Sequence, residues 1–162
     1  MLRLLTIAAA LFLSSCGFRP LYATAEGGGA GLTRMALVNV DAAEGVAPVV
    51  ERAFARRMRG DGDPLYDLSV KAAEQAERLA VQIDASVTRY NYRLVGDYTL
   101  VERATGKRYV GNVVSIASFN VVNSQYSTLY AEEQAREKAA AQLVEDIERD
   151  ALLKIAEARD GR

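Results

Sequence analysis

Cys16 is the only cysteine of the 162-residue chain, and it lies where a hydrophobic run ends. Residues 4–13 are apolar except for one threonine, and Ser14 and Ser15 separate them from the thiol. A lone thiol cannot close an internal disulfide or supply a cysteine-based metal site. Because its N-terminal neighbours are small, a modifying enzyme could reach it. Cys16 is therefore the first candidate for covalent chemistry.

The tetrad Leu13-Ser14-Ser15-Cys16 resembles the lipobox of bacterial lipoprotein signals. Arg3 supplies the positive charge that such signals carry near the N-terminus. The ten-residue apolar run suits the h-region of a signal but is too short to span a bilayer. The resemblance implies that residues 1–15 are a signal peptide that is removed. It also implies that Cys16 carries diacylglycerol and that its new amino group is acylated, as with palmitate. Each buried methylene contributes roughly 0.8 kcal/mol, so these chains would anchor the protein firmly.

Gly17 follows the cysteine, where aspartate usually retains bacterial lipoproteins in the inner membrane. The resemblance therefore implies the outer membrane. The alternative is an ordinary signal peptide, or a buried hydrophobic N-terminus, with an incidental cysteine. Residues 16–31, with four glycines between positions 27 and 31, are interpreted as a lipidated tether rather than a phosphate-binding loop, since the lysine of a P-loop is missing. Residues 32–158 are predicted to form a single domain, followed by a tail, 159–162.

Hydrophobic periodicity predicts four strands and two helices in the mature chain. Period-2 alternation is clearest where Tyr92, Leu94, Tyr98 and Leu100 share one face. Gly96 interrupts this row and indicates either a bulge or a closely packed helix. The predicted strands are 33–40, 65–83 (with a weak or bulged middle), 87–103 and 108–122, and the predicted helices are 45–60 and 127–158, the latter capped by Ser127 or Thr128. We therefore expect an α+β fold with a four-stranded, mostly antiparallel sheet and two helices packed on one face.

Residue types exclude several kinds of chemistry. The chain has no histidine, which removes Ser-His-Asp and Cys-His catalytic arrangements and the commonest zinc ligand. Asp61 and Asp63 lie in a turn that lacks the remaining ligands of a calcium-binding EF-hand loop. Carboxylates of the last helix alternate with basic residues, as on a solvated helix face. We expect no catalytic residue, metal or cofactor, although a hydrolase that uses carboxylates alone stays open as an alternative.

Charge is unevenly distributed along the chain. The formal net charge of −1 does not favour a nucleic-acid partner. Residues 84–121 carry five basic and three acidic side chains, whereas residues 129–158 carry four basic and eight acidic ones. The hairpin could therefore meet an anionic partner while the helix faces water; ordinary surface charge is the alternative. The basic candidates for an anion-binding site are Arg89, Arg93, Lys107 and Arg108.

Two segments resemble the lipopolysaccharide-assembly lipoproteins, the LptE family. Residues 16–22, Cys-Gly-Phe-Arg-Pro-Leu-Tyr, resemble the start of mature members, in the form of the alphaproteobacterial branch. The segment Asn123-Ser124-Gln125-Tyr126-Ser127, followed by Glu-Glu-Gln-Ala before a long terminal helix, is similar as well. The resemblance implies a non-enzymatic plug inside LptD, the β-barrel that inserts lipopolysaccharide (LPS) into the outer membrane. It also implies a 1:1 complex with that barrel and binding of LPS.

A second hypothesis belongs to a different class of function. The chain could be a periplasm-facing lipoprotein that serves as an adaptor or pilot for another envelope complex, without contacting LPS. Copurification with a large barrel would separate the two hypotheses.

Overall fold

The structure is a computed structural model that describes residues 32–58, 63–81, 88–121 and 125–160. The predicted signal peptide, the tether with Cys16, and the turn with Asp61 lie outside these ranges. Residues 161 and 162 also lie outside them.

Four strands and two helices follow one another in the order β-α-β-β-β-α. They are β1 (Met35–Ala42), α1 (Ala47–Arg57), β2 (Tyr66–Val81), β3 (Thr88–Glu102), β4 (Arg108–Val121) and α2 (Gln125–Asp160), preceded by a 3₁₀ turn at Leu32–Arg34. The sheet order is β1-β2-β3-β4. Strands β1 and β2 are parallel, whereas β2–β3 and β3–β4 are antiparallel. The expected α+β class with a mostly antiparallel sheet is confirmed.

Both helices pack on the same face of the sheet. On the sheet side, alternate residues such as Leu68, Leu94 and Leu100 are fully buried, as the period-2 pattern predicts. On the helix side, Phe54 of α1 and Leu143 of α2 are equally buried. Other buried members of this core are Val50, Val70, Tyr98, Ala139, Ile147 and Ile155. Within the described ranges, the helices thus cover one face of the sheet, and no helix packs on the other.

Several predicted boundaries are wrong by a few residues. The first strand starts at Met35 rather than at residue 33, because Leu32–Arg34 form a 3₁₀ turn that buries the Leu32 side chain. The register shift of β2 falls between Arg78 and Ala80, near the end of the strand rather than in its middle. The terminal helix begins at Gln125 and continues to Asp160. Ser127 and Thr128 therefore lie inside α2 and do not cap it, and the expected tail begins within the helix.

Two glycines allow α2 to approach the sheet closely. A Cβ atom at Gly96 would lie 3.0 Å from Leu143 Cδ1, so the absent side chain makes room for the helix, and the alternative of a bulge is wrong. A Cβ atom at Gly111 would overlap Tyr98 Cε1 and Asp150 Oδ2. In the β3–β4 turn, Gly106 adopts a φ of 72°, a conformation that glycine reaches without steric cost.

A buried carboxylate connects three elements of the fold. Glu148 of α2 is only 7% exposed, and its Oε2 accepts a hydrogen bond of 2.9 Å from Arg57 Nε at the end of α1. Its Oε1 accepts a hydrogen bond of 3.3 Å from the backbone N–H of Leu32. The residue at which the described part of the chain begins is thereby fixed to both helices.

A second polar contact joins α2 to the sheet. The Tyr98 hydroxyl donates to Asp150 Oδ2 over 2.6 Å, and Lys154 Nζ forms an ion pair with the same oxygen. Burial and the hydrogen bond to Asp150 raise the pKa of Tyr98. Partial burial by itself raises the pKa of Asp150, but the hydrogen bonds from Lys154 and Tyr98 lower it below its usual value. In the residues that the structure describes, no helix is long and apolar enough to cross a membrane.

Candidate functional site

Three of the four basic candidates lie on the face of the sheet that the helices leave uncovered, which we call the open face. Side chains of β3 and β4 alternate between the two faces. Tyr92 and Tyr109 are buried under the helices, so Arg93 and Arg108, one position along, point to the open face. Arg89 has the same parity as Arg93. Arg89, Arg93 and Arg108 therefore share one face of the sheet.

Lys107 lies apart from the arginines. It precedes β4 by one residue, and its Nζ lies 5.5 Å from the centroid of the Tyr109 ring, which belongs to the covered face. A cation over an aromatic ring is held by the negative potential of that ring. The structure therefore does not bring Lys107 together with the arginines of the open face.

Strand register separates the arginines into two groups. Arg93 is opposite Ile116, whereas Arg108 is opposite Val101 at the other end of the β3–β4 ladder. Eight strand residues separate the two positions, which is roughly 26 Å. Arg89 lies on the same side as Arg93, four residues away. A single small anion could not contact both groups, but an extended ligand or a broad surface could.

Exposed apolar side chains lie between these arginines. Val110, Val114 and Ile116 of β4 are all exposed on the open face, and Val114 is opposite Val95 of β3. A polar pair, in which Asn112 Nδ2 donates to Asp97 Oδ1 over 2.7 Å, interrupts the row between the two valines. Exposed apolar side chains grouped on one face can mark an interaction site. With guanidinium groups at both ends of the apolar row, the open face has the chemistry to bind an anionic amphiphile.

The arginines of the open face differ in how they are neutralised. Arg103, which also has this parity, forms an ion pair of 2.6 Å with Asp67. Among the described residues, Arg89, Arg93 and Arg108 form no ion pair, and Arg93 Nε is buried without a hydrogen-bond partner. An arginine that lacks a carboxylate partner can offer its donors to an external anion. Arg93 is the most favourable of the three, since it also adjoins Ile116.

A polar and aromatic pocket at the covered side of the sheet was missed by the sequence reasoning. Its volume is about 340 Å³, and it is lined by Glu74, Tyr90, Tyr92, Phe119, Thr128, Glu132 and Arg136. Tyr92 donates to Glu74 Oε2 over 2.6 Å, and Arg136 lies over the Tyr92 ring at 5.5 Å. Burial, followed by the hydrogen bond to Glu74, raises the pKa of Tyr92 to about 12.

The only signal that could have found this pocket is Glu74, a carboxylate in register with the buried residues of β2. Arg136 pairs with Glu74 at 3.7 Å and with Glu132 at 3.3 Å, so the charges of the pocket largely compensate one another. Within the described ranges, no cluster of acidic side chains has the composition of a metal site.

Comparison with solved structures shows a shared fold. A protein described as a lipoprotein from Caulobacter crescentus superposes with a TM-score of 0.56 at 18% identity, over 79% of this chain and 94% of the other. A minor lipoprotein from Acinetobacter baumannii gives 0.50 at 13% identity, over 75% and 92%. Rare lipoprotein B from Shewanella oneidensis gives 0.50 at 9% identity, over 78% and 98%. No family profile and no curated protein sequence matches the chain.

Proposed function

We propose that this chain is a non-enzymatic lipoprotein of the outer membrane. It would be anchored through acyl chains on Cys16 and occupy the lumen of an LptD-type β-barrel in a 1:1 complex. In that position it would help the barrel to assemble and take part in LPS transport, with its open face contacting LPS. Neither a cofactor nor a nucleic acid has a part in this role.

Two independent features support a lipoprotein of the bacterial envelope. The Leu13-Ser14-Ser15-Cys16 tetrad is typical of a lipidated N-terminus. Separately, the fold is similar to structures whose descriptions name lipoproteins, among them rare lipoprotein B and a minor lipoprotein. The more specific assignment to the LptE family comes from the residues after Cys16 and from the segment before the terminal helix.

The observation that carries the LPS-binding part of the proposal is the chemistry of the open face. LPS combines anionic phosphate groups with an apolar acyl region. Arg93, which lacks a carboxylate partner, adjoins Ile116 and the exposed valines of β4. Arginine is suited to phosphate because its planar donors bind two oxygens at once. A barrel lumen is polar, so a domain with charged outer surfaces could fill it.

The first experiment is affinity purification of the full lipidated protein from detergent-solubilised outer membranes. We expect an LptD-type barrel to copurify at near-equal stoichiometry, together with LPS. Replacement of both Arg89 and Arg93 by alanine should lower the LPS recovered per protein at least tenfold, since even one charge-assisted contact contributes roughly 1.5–3 kcal/mol in a partly desolvated site. Lys107→Ala is the matched control, because it removes a cation from the covered face and should leave the recovery unchanged.

Different outcomes contradict different parts of the proposal. If Lys107→Ala lowers the recovery as much as Arg89→Ala or Arg93→Ala does alone, only net charge matters and the open face is not the LPS site. Copurification of another envelope complex without a barrel would support the adaptor hypothesis instead. Retention of the protein in a soluble fraction after Cys16→Ser, but not in the wild type, would support the lipid anchor independently of both.

A further inference from the structure

The N-terminal end of α2 extends beyond the core of the domain. Its first buried residue is Ala135, so the first ten residues of the helix contribute no fully buried side chain. Three large side chains of this segment are strongly exposed: Tyr126 (82%), Leu129 (59%) and Tyr130 (59%). Exposed tyrosines and leucines so close together are unusual on a surface that faces only water.

A groove runs from this segment to the start of α1. The two helices lie side by side in the same direction, since Arg52 pairs with Glu137 and Arg57 with Glu145. The groove between the start of α1 and residues 129–137 of α2 has a volume of about 410 Å³. It is lined by apolar side chains (Pro48, Val49 and Leu129) and by charged ones (Glu44, Arg52, Glu132, Glu133, Arg136 and Glu137).

Among the described residues, the lining of the groove has an excess of negative charge, with four glutamates and two arginines. Both of its basic residues are already engaged: Arg52 with Glu137 at 3.9 Å, and Arg136 with Glu132 at 3.3 Å. In the part of the chain that the structure describes, Glu44 and Glu133 have no basic partner. Two free carboxylates thus flank an apolar floor.

We propose that this groove and the adjoining end of α2 form a docking surface for a basic, partly apolar segment of another polypeptide. An apolar side chain of that segment would pack between Val49 and Leu129. Its lysine or arginine residues would reach Glu44 and Glu133, while Tyr126 and Tyr130 would add aromatic contact area, as tyrosines commonly do at interfaces. Charge complementarity selects this partner, since like charges facing one another across an interface are strongly unfavourable.

This inference does not depend on the function proposed above. The open face carries free arginines on β3 and β4, whereas the groove carries free carboxylates on the helices. An anionic glycolipid or membrane surface would be repelled by Glu44 and Glu133, so the same ligand cannot satisfy both surfaces. The groove therefore favours a cationic partner, whereas the open face favours an anionic one.

The test is site-specific photocrosslinking of the full-length protein in its own cells. A p-benzoyl-phenylalanine replaces Tyr130, and mass spectrometry sequences the crosslinked peptide. We expect a peptide from a different polypeptide that carries at least two lysines or arginines close to an apolar residue. The double variant Glu44→Lys and Glu133→Lys should reduce the yield about tenfold, because it places like charges across the interface.

A matched variant controls for general charge effects. Glu157→Lys changes an exposed residue of the same helix, about 36 Å further along its axis than Glu133, and should leave the crosslink unchanged. Reversing the charges of the identified basic segment should restore the yield of the Glu44/Glu133 variant. Unchanged thermal melting of all variants would confirm that they fold.

Five results would overturn the proposal. Four are a crosslink to a second copy of this chain, to its own residues 16–31, to lipid alone, or to a neutral or acidic segment. The fifth is a crosslinking yield that charge reversal does not change. A crosslink to a neutral segment of an LptD-type barrel would contradict the basic partner but would still support the plug, so the two proposals fail separately.

Discussion

Removing the carboxylate of Glu148 is the sharpest test of how the fold is held together. This side chain is buried and accepts hydrogen bonds from Arg57 Nε and from the backbone N–H of Leu32. In Glu148→Ala, the N–H of Leu32 stays buried, because the Leu32 residue is only 1% exposed. It then has no acceptor. The Arg57 guanidinium keeps Glu145 at 3.5 Å and is about half exposed, so water can solvate it.

The expected loss in the free energy of unfolding follows from the different surroundings of the two donors: the N–H of Leu32 stays buried, whereas the Arg57 guanidinium can be solvated. An orphaned buried N–H costs about 1–3 kcal/mol, whereas an exposed ion pair contributes about 0–1 kcal/mol. We expect Glu148→Ala to lower the free energy of unfolding by about 2–3 kcal/mol. For a domain of this size, that corresponds to a fall in Tm of about 5–10 °C. Glu148→Gln keeps an acceptor oxygen and should cost only about 1 kcal/mol.

Glu145→Ala is the matched control, because it removes the other carboxylate that pairs with Arg57. Urea denaturation should place this variant within about 0.5 kcal/mol of the wild type. Hydrogen exchange at the Leu32 amide should accelerate in Glu148→Ala and stay unchanged in Glu145→Ala. Equal destabilisation of the two variants would refute the reasoning, since it would mean that charge on Arg57, and not the buried acceptor, is what matters.

Three further predictions concern α2 and the sheet beneath it. Gly111→Ala should destabilise the fold by about 1–3 kcal/mol in urea denaturation, because the new Cβ overlaps Asp150, whereas Gly96→Ala, which meets only a flexible leucine, should cost less. The lowered pKa of Asp150 stabilises the fold above the unfolded-state value of about 3.9, and this contribution is lost as the pH falls below it. Acid titrations of stability should therefore be flatter between pH 4 and pH 2 for Asp150→Asn, and equal slopes would exclude the Lys154 ion pair as the cause. Tyr92 should ionise near pH 12 in an absorbance titration, so the Tyr92→Phe variant should lack that step, and a value near 10 would contradict the burial of its hydroxyl.

Periodicity predicted the strands well where every second residue is buried. In β3, the alternation of Tyr92, Leu94, Tyr98 and Leu100 with polar residues leaves only one arrangement that buries the apolar set. The start of β1 was harder, because Leu32 is buried by a tertiary contact with α2 and not by a local pattern. The hydrogen bond that Glu148 accepts there joins residues 116 positions apart in sequence, and no local rule can anticipate it.

Strand alternation also determines how much of the candidate site can be predicted from the sequence. In the structure, Arg89, Arg93 and Arg108 lie on one face of the sheet, because alternate residues of a strand share a face. The sequence argument also included Lys107, which lies in the turn before β4, where alternation does not apply. That any of the four binds an anion stays a prediction. The acidic groove was missed, since it forms only when α1 and α2 lie side by side, and the segments that line it are about 85 residues apart in sequence.

The two parts of α2, before and after Ala135, differ in how they are held against the rest of the domain. The helix has 36 residues and is about 54 Å long. From Ala135 onward it is held by buried side chains, and by the 2.7 Å hydrogen bond that Ser115 Oγ donates to the carbonyl oxygen of Ala139. The segment before Ala135 extends from this fixed part as a rigid continuation, so its position is set without burying any of its own side chains. Charges there can therefore change with little effect on the stability of the fold, which is the condition under which a surface can be adapted to a partner.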